Sequence, residues 1–375
     1  MTGNDRTRRP GRTEPRSPIS RGSRDLLDRW DPLHFAFVMA TGILSIAASL
    51  LGLDAVGRAL FGVNALAYVV VTVLTLARSV RDPRSTLADL ASPDRAVGSF
   101  TAVAATSILG SQFVVFGQST AAATALFGVA GALLFALTYT VFFGLTVRDV
   151  DDPIEDTLDG GWFLAVVATQ SVAVLAALLA PSYPAFLDEF ALLALVLYLV
   201  GGGFYLVLFT LVFYRLTFFG FAPESATPPY WINMGAVAIT ALAGSLLLRL
   251  GPSWPFLAEL HPFLVGFTFF FWATGSWWIP LLVALGVWRH TVGGIALPHT
   301  PTGYHPRYWS IVFPLGMYTV STLRFAGEAG IPILETIPRY FVYVALAAWL
   351  VVSTGLARSA LSAISAASTL ERVRE

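Results

Sequence analysis

Apolar residues fill this chain in long runs separated by short polar joints, and the pattern recurs from Leu33 to Ala357. Each run is about 20 residues, enough for a helix rising ~1.5 Å per residue to cross a ~30 Å hydrocarbon core. The pattern predicts spans at roughly 33–53, 59–79, 98–117, 121–146, 161–181, 190–215, 229–250, 262–287, 305–326 and 337–357. The joints alternate in length: 5, 3, 8, 11 and 10 residues within successive pairs of spans, and 18, 14, 13 and 17 between pairs. Short joints make antiparallel neighbours, so the expected fold is an all-α integral membrane protein of ten transmembrane helices arranged as five helical hairpins.

The two members of each pair differ. Odd-numbered spans hold 14 aromatic side chains and even-numbered spans 26, while Ser, Thr, Asn and Gln number 19 in the odd set and 14 in the even. Slim, more polar helices suit a crowded or hydrated interior and bulky aromatic ones a lipid-facing surface. The expectation is an inner ring of odd helices wrapped by an outer ring of even ones, around a central pore. Composition agrees with a membrane protein: 56% of the 375 residues are hydrophobic, 12% are charged and the mean hydropathy is +0.70. A soluble domain cannot hide that much apolar surface.

All 23 basic residues are arginine, and their placement gives an orientation. The amino-terminal tail, the longer joints and the carboxyl-terminal tail together carry 19 of them, leaving Arg58, Arg249, Arg324 and Arg339 on the opposite side. The positive-inside rule then puts both termini in the cytoplasm of a cell (inner) membrane protein. Residues 1–30, rich in arginine, proline and serine, read as a disordered basic cytoplasmic tail. Residues 31–358 are the transmembrane transporter or channel domain and 359–375 a second cytoplasmic tail. Arg8-Arg9 has Pro10 next to it and no apolar run close behind, which argues against an export signal.

Candidate chemistry is sparse. No span has an acidic or basic residue in its central part, where a proton-coupled pump usually keeps its coupling site. The odd spans offer neutral donors at depth: Thr41 and Ser45; Thr106, Ser107, Ser111 and Gln112; Thr169, Gln170 and Ser171; Asn233 and Thr240; Ser310. Such groups hold an anion weakly enough to release it, and they serve equally as helix–helix hydrogen bonds. Pro314, inside the ninth span, cannot donate to the carbonyl of Ser310 and breaks the helical ladder there. Helical spacing puts Ser310, Phe313, Met317, Ser321 and Arg324 near one stripe, with Arg324 ~16 Å along the axis from Phe313. Phe313 reads either as a plug in an anion path or as core packing, and Arg324 either as the charge at its outer mouth or as a snorkelling side chain. The five histidines sit at span ends or in joints without metal-ligand spacing, the chain has no cysteine, and Asp149 to Asp159 form a solvated acidic run. No nucleophile–base arrangement, nucleotide-binding loop or nucleic-acid motif can be assembled. Neither an enzyme nor a cofactor is therefore expected. The expected partners are a small anionic solute and the lipid bilayer.

Several stretches together resemble a known family: FVMATGILSIAASLLG, PPYWINMGAVAITALAG, FWATGSWWIPLLVALGVWRH and above all YWSIVFPLGMYTVSTLRF. They are similar to the tellurite-resistance/C4-dicarboxylate transporter family, which includes plant slow anion channels, fungal malate permeases and sulfite efflux pumps. The resemblance covers essentially all of 33–357. It implies odd helices lining a pore in each protomer, homotrimers, and a gate formed by the phenylalanine of the Phe-Pro pair, here Phe313 and Pro314. Thr41, Ser45, Thr106, Ser107, Gln170, Asn233, Ser310, Met317 and Arg324 are then the pore-lining candidates. Two departures stand out. Spans 1, 3 and 5 have no proline at depth, where family inner helices commonly have one, leaving Gly42, Gly110 or irregular backbone to supply any bend, and the chain has a short arginine tail in place of the long extensions by which plant channels are phosphorylated. The expected function is passage of small anions, inorganic or C4-dicarboxylate such as malate, through a phenylalanine-gated pore. A proton-coupled or exchange carrier for dicarboxylate or sulfite is the alternative, with a membrane enzyme more remote. Tellurite resistance is a label rather than a substrate.

Overall fold

The computed structural model describes residues 32–147, 158–300 and 303–374; the basic tail and most of the acidic run, Asp149 to Asp156, lie outside them. The described residues form helices and no strand. The principal helices are α1 (Phe35–Leu50), α2 (Asp54–Arg81), α3 (Pro83–Ala91), α4 (Phe100–Val115), α5 (Thr120–Val147), α6 (Leu164–Leu179), α7 (Leu187–Phe218), α8 (Ile232–Leu250), α9 (His261–Thr291), α10 (Trp309–Glu328) and α11 (Thr336–Arg374). By length and composition, 8 of the helical segments among the described residues can cross a membrane, which makes this a multi-pass membrane protein. α1, at 16 residues, is apolar but shorter, and α10, carrying Arg324 and Glu328, is outside that set.

Burial separates the spanning segments into two classes. The apolar windows of the segments holding α4, α6 and α8 are 83%, 94% and 94% buried, whereas those of α2, α5, α7, α9 and α11 are 17%, 11%, 33%, 22% and 22% buried. α1 and α10 are buried along most of their length as well. Contacts explain the contrast. α1 packs on α4, α4 on α6, α6 on α8, α8 on α10, and α10 back on α1, closing a ring. Each remaining long helix straddles two neighbours of that ring: α2 on α1 and α4, α5 on α4 and α6, α7 on α6 and α8, α9 on α8 and α10, α11 on α10 and α1.

Side-chain size makes this possible. Ala, Gly, Ser and Thr dominate the ring helices, so their backbones approach closely, while the large rings sit outside and lock one outer helix to the next. Between α7 and α9, Tyr205 meets Phe271 edge-on at 5.7 Å and Tyr198 shares a 3.0 Å hydrogen bond with Thr268. The outward faces stay apolar, with Leu66, Phe135 and Trp277 each 68% exposed, as lipid contact requires.

One further regularity positions the site. Every ring helix is preceded by a 3₁₀ turn: Pro32–His34, Val97–Ser99, Gly160–Phe163, Pro228–Trp231 and Pro306–Tyr308. These turns also touch in a closed cycle, in the same order as their helices. Proline opens three of them, fixing φ where its missing N–H costs nothing. The closest approach is at Gly160, where a Cβ would land on the Pro229 and Tyr230 backbone. Backbone cannot yield as a side chain can. Gly160→Ala is therefore expected to lower stability by about 1–3 kcal/mol. Gly203→Ala on the open face of α7, where nothing lies within 4 Å, should be neutral. Thermal unfolding followed by size-exclusion chromatography of the two detergent-solubilised variants checks the contrast.

Candidate functional site

The ring helices are parallel, and a cavity lies at each end of their common axis. At the carboxyl ends a small cavity of ≈ 30 Å³ is lined by the same helical positions on all five: Ile43, Ile46 and Leu50; Ile108, Ser111 and Val115; Ser171, Val174 and Leu178; Ile239, Leu242 and Leu246; Met317, Val320 and Arg324. Every triplet follows the spacing i, i+3, i+7, the period of one helix face. This cavity is apolar except for two hydroxyls and one guanidinium. At the amino ends a cavity of ≈ 370 Å³ is lined by residues of all five entrances, among them Leu33, Gly98, Gly161, Pro229 and Ser310, with Arg95, Asp159, His305 and Arg307 as its charged or titratable groups.

A closed layer separates the two. Leu164 and Ser171, Ile232 and Ile239, and Ser310 and Met317 line the amino-end and carboxyl-end cavities respectively, each pair about 10 Å apart along its helix. One turn before each triplet stand Met39, Ala104, Val167, Gly235 and Phe313, all of them buried. Phe313 is the one aromatic residue among these five positions and is 0% exposed. Its ring lies against the bare α-carbon of Gly235: a Cβ there would come within 2.9 Å of Pro314 Cγ and 3.1 Å of Phe313 Cε1. Pro314 stands inside a helix assigned without interruption from Trp309 to Glu328.

The remaining pore-lining candidates divide. Ser310, Met317 and Arg324 line a cavity. Four others hydrogen-bond to outer helices: Thr41 Oγ1 accepts from Trp349 Nε1 at 3.0 Å, Ser45 Oγ donates to the Gly57 carbonyl at 2.8 Å, Thr106 Oγ1 pairs with the Tyr68 hydroxyl at 3.0 Å, and Gln170 Nε2 donates to the Tyr198 carbonyl at 3.0 Å. Ser107 Oγ and both side-chain polar atoms of Asn233 are buried without a partner among the described residues, and neither residue lines these cavities. The hydroxyls that reach the carboxyl-end cavity are Ser111 and Ser171, which the i, i+3, i+7 phase picks out and composition does not.

Charges at the amino-end cavity are held in place. Arg95 donates to Asp89 at 2.7 Å, and Asp89, 7% exposed, is gripped from its other oxygen by Arg78 at 2.6 Å. Asp159 accepts from the Gly161 N–H at 2.7 Å and His305 Nδ1 from the Arg307 N–H at 3.2 Å, so two of the turns are capped by residues lining the cavity. The described residues contain no group of His, Cys, Asp and Glu arranged to hold a metal.

Comparison with known proteins gives this architecture a family. The family model described as voltage-dependent anion channel (SLAC1) matches residues 29–357. The chain belongs to that anion-channel family. Its relatives include an uncharacterized membrane protein of Mycobacterium tuberculosis, 40% identical over 145 residues that cover 39% of this chain and 71% of the relative. An uncharacterized transporter of Methanocaldococcus jannaschii is 28% identical over 300 residues, covering 77% of this chain and 82% of its own. A sulfite efflux pump of Trichophyton rubrum is 24% identical over 354 residues, covering 87% and 89%. Family and relatives indicate a transporter or channel rather than an enzyme, and anion transport in the broad sense.

Within this anion-channel fold, Gly235 is the position that keeps room for the Phe313 ring. Gly235→Ala is expected to push that ring or Pro314 aside and to cost about 1–3 kcal/mol. Combining it with Phe313→Ala should recover part of that cost, because the ring contact at 3.1 Å is gone while Pro314 Cγ at 2.9 Å remains; a double-mutant cycle of unfolding midpoints measures the coupling.

Proposed function

We propose that this protein conducts small anions along the axis of its ring helices, and that Phe313, backed by Pro314, is the gate. In this reading the chain crosses the membrane ten times as five hairpins, with both termini and the amino-end cavity on the cytoplasmic side of the cell membrane. Protomers associate as homotrimers, on the family resemblance. The observation that carries the reading is the layer of Met39, Ala104, Val167, Gly235 and Phe313 between two axial cavities. Four of its members are small or flexible, so rotation of one aromatic ring is the smallest movement that joins the cavities.

The permeating species is a small inorganic anion or a C4-dicarboxylate such as malate. Weak neutral donors and helix dipoles along the path favour rapid release over tight selection. The name of the fungal relative, a sulfite efflux pump, adds sulfite to the candidates and favours, as a second reading, a proton-coupled or exchange carrier for sulfite or dicarboxylate.

Reconstituted in liposomes, Phe313→Ala is expected to raise anion flux about tenfold, equivalent to a barrier lowered by ~1.4 kcal/mol. A well-folded Phe313→Ala protein with wild-type flux would remove the gate assignment. Running chloride, nitrate, sulfite, malate and succinate side by side fixes the substrate. Saturable counterflow of labelled sulfite or malate, with no current larger than a carrier's turnover, would favour exchange.

A further inference from the structure

We infer that the amino-end cavity is a binding site for a small anion, with Ser310 as the donor that fixes its position one turn short of Phe313. This rests on the reading of the ring axis as an anion path and adds where the anion waits. Two independent observations carry it.

The first is the convergence of five helix starts. Each helix leaves its first N–H groups without partners along the helix and carries roughly half a positive charge at that end. Here the starts of all five ring helices and their 3₁₀ turns close around one cavity. Formal charges alone do not decide its sign: Arg95 and Arg307 line the cavity together with Asp159, and Arg95 shares Asp89 with Arg78. The aligned dipoles remain, and they favour an anion.

The second is Ser310 itself. It lines the cavity, is 1% exposed, and its hydroxyl makes no hydrogen bond among the described residues. Elsewhere on the ring helices comparable hydroxyls bond back along their own helix: Thr169 to the Ala165 carbonyl at 2.9 Å, Thr240 to Ala236 at 2.7 Å, Ser245 to Ala241 at 2.7 Å, Thr319 to Leu315 at 2.9 Å. Ser107 Oγ also lacks a partner but lines neither cavity; Ser310 combines an unpartnered hydroxyl with a place on the cavity wall at the converged dipole ends, which makes it a donor available to a ligand.

The experiment uses the full chain in lipid nanodiscs. Sodium gluconate is replaced stepwise by sodium chloride or by sodium sulfite at constant ionic strength, and the thermal unfolding midpoint is followed. The wild-type midpoint is expected to rise and saturate with chloride, with sulfite or with both, which also shows whether the ligand is a halide or an oxyanion. Ser310→Ala should keep the gluconate midpoint and need about tenfold more anion for half of the rise, the scale of losing one hydrogen bond to a charged group. Arg324→Gln, at the other cavity, should respond as wild type. A wild-type midpoint indifferent to both anions overturns the proposal. So does a Ser310→Ala response equal to wild type, or a response abolished by Arg324→Gln. Phe313→Ala separates this from the gate: unaltered flux in that variant together with weakened binding in Ser310→Ala would remove the gate and leave the site standing.

Discussion

Closing a ring of five helices about one axis is the constraint from which most of this structure follows. Lipid offers no hydrogen bonds and little driving force for helices to associate, so the ring holds together by close packing of backbones. Close packing demands slim helices, and the chain supplies them in alanine, glycine, serine and threonine. Slim helices cannot also present a wide lipid-facing surface. That task falls to α2, α5, α7, α9 and α11, whose aromatics bridge the grooves between ring helices and turn the rest of their surface to the bilayer. The same small side chains that let the ring close leave its axis under-filled. Phe313 fills it at one level, and Gly235 gives the ring room to lie there.

Parallel alignment of the ring helices then makes the two ends unlike. All amino ends gather at one cavity and all carboxyl ends at the other. At the amino ends, backbone N–H groups, dipoles and the pinned Arg95 give a polar chamber. The Arg78–Asp89–Arg95 chain explains how a carboxylate as buried as Asp89 is tolerated: both of its oxygens are taken by guanidinium groups, and α3 is tied down beside the entrance as a result. At the carboxyl ends, the corresponding C=O dipoles point the other way, and Arg324 supplies positive charge where the backbone supplies negative.

The helical membrane class and the division into slim and bulky segments were legible from the sequence because they depend on run length and side-chain volume, which are local properties. The orientation of individual polar side chains was not. A threonine on a ring helix has the axis on one side and an outer helix on the other, and composition is silent on the choice. Thr41, Ser45, Thr106 and Gln170 face Trp349, Gly57, Tyr68 and Tyr198, which lie close in space and, for Trp349, at the far end of the chain. The phase was nonetheless present. Reading outward from Phe313 at i+4, i+7 and i+11 gives Met317, Val320 and Arg324, and the same spacing on the other ring helices picks Ser111 and Ser171 over their neighbours. The stripe on α10 was visible alone; its recurrence on four more helices required knowing which residues share a level.

That recurrence bears on what an open gate would mean. Beyond Phe313 the carboxyl-end cavity offers walls of Ile43, Ile46, Ile108, Ile239, Leu242 and Leu246, relieved by Ser111, Ser171 and, three levels on, Arg324. A narrow passage lined this way resists wetting, so on the proposed conduction path an anion leaving the polar chamber would give up water well past the aromatic ring. On that proposal the barrier is a plug followed by a dry funnel, and the two act in series. Moving the ring would remove the steric part alone. The part that remains would be lowest for anions that shed water easily, which would tie selectivity to the hydration of the anion rather than to any single residue that touches it.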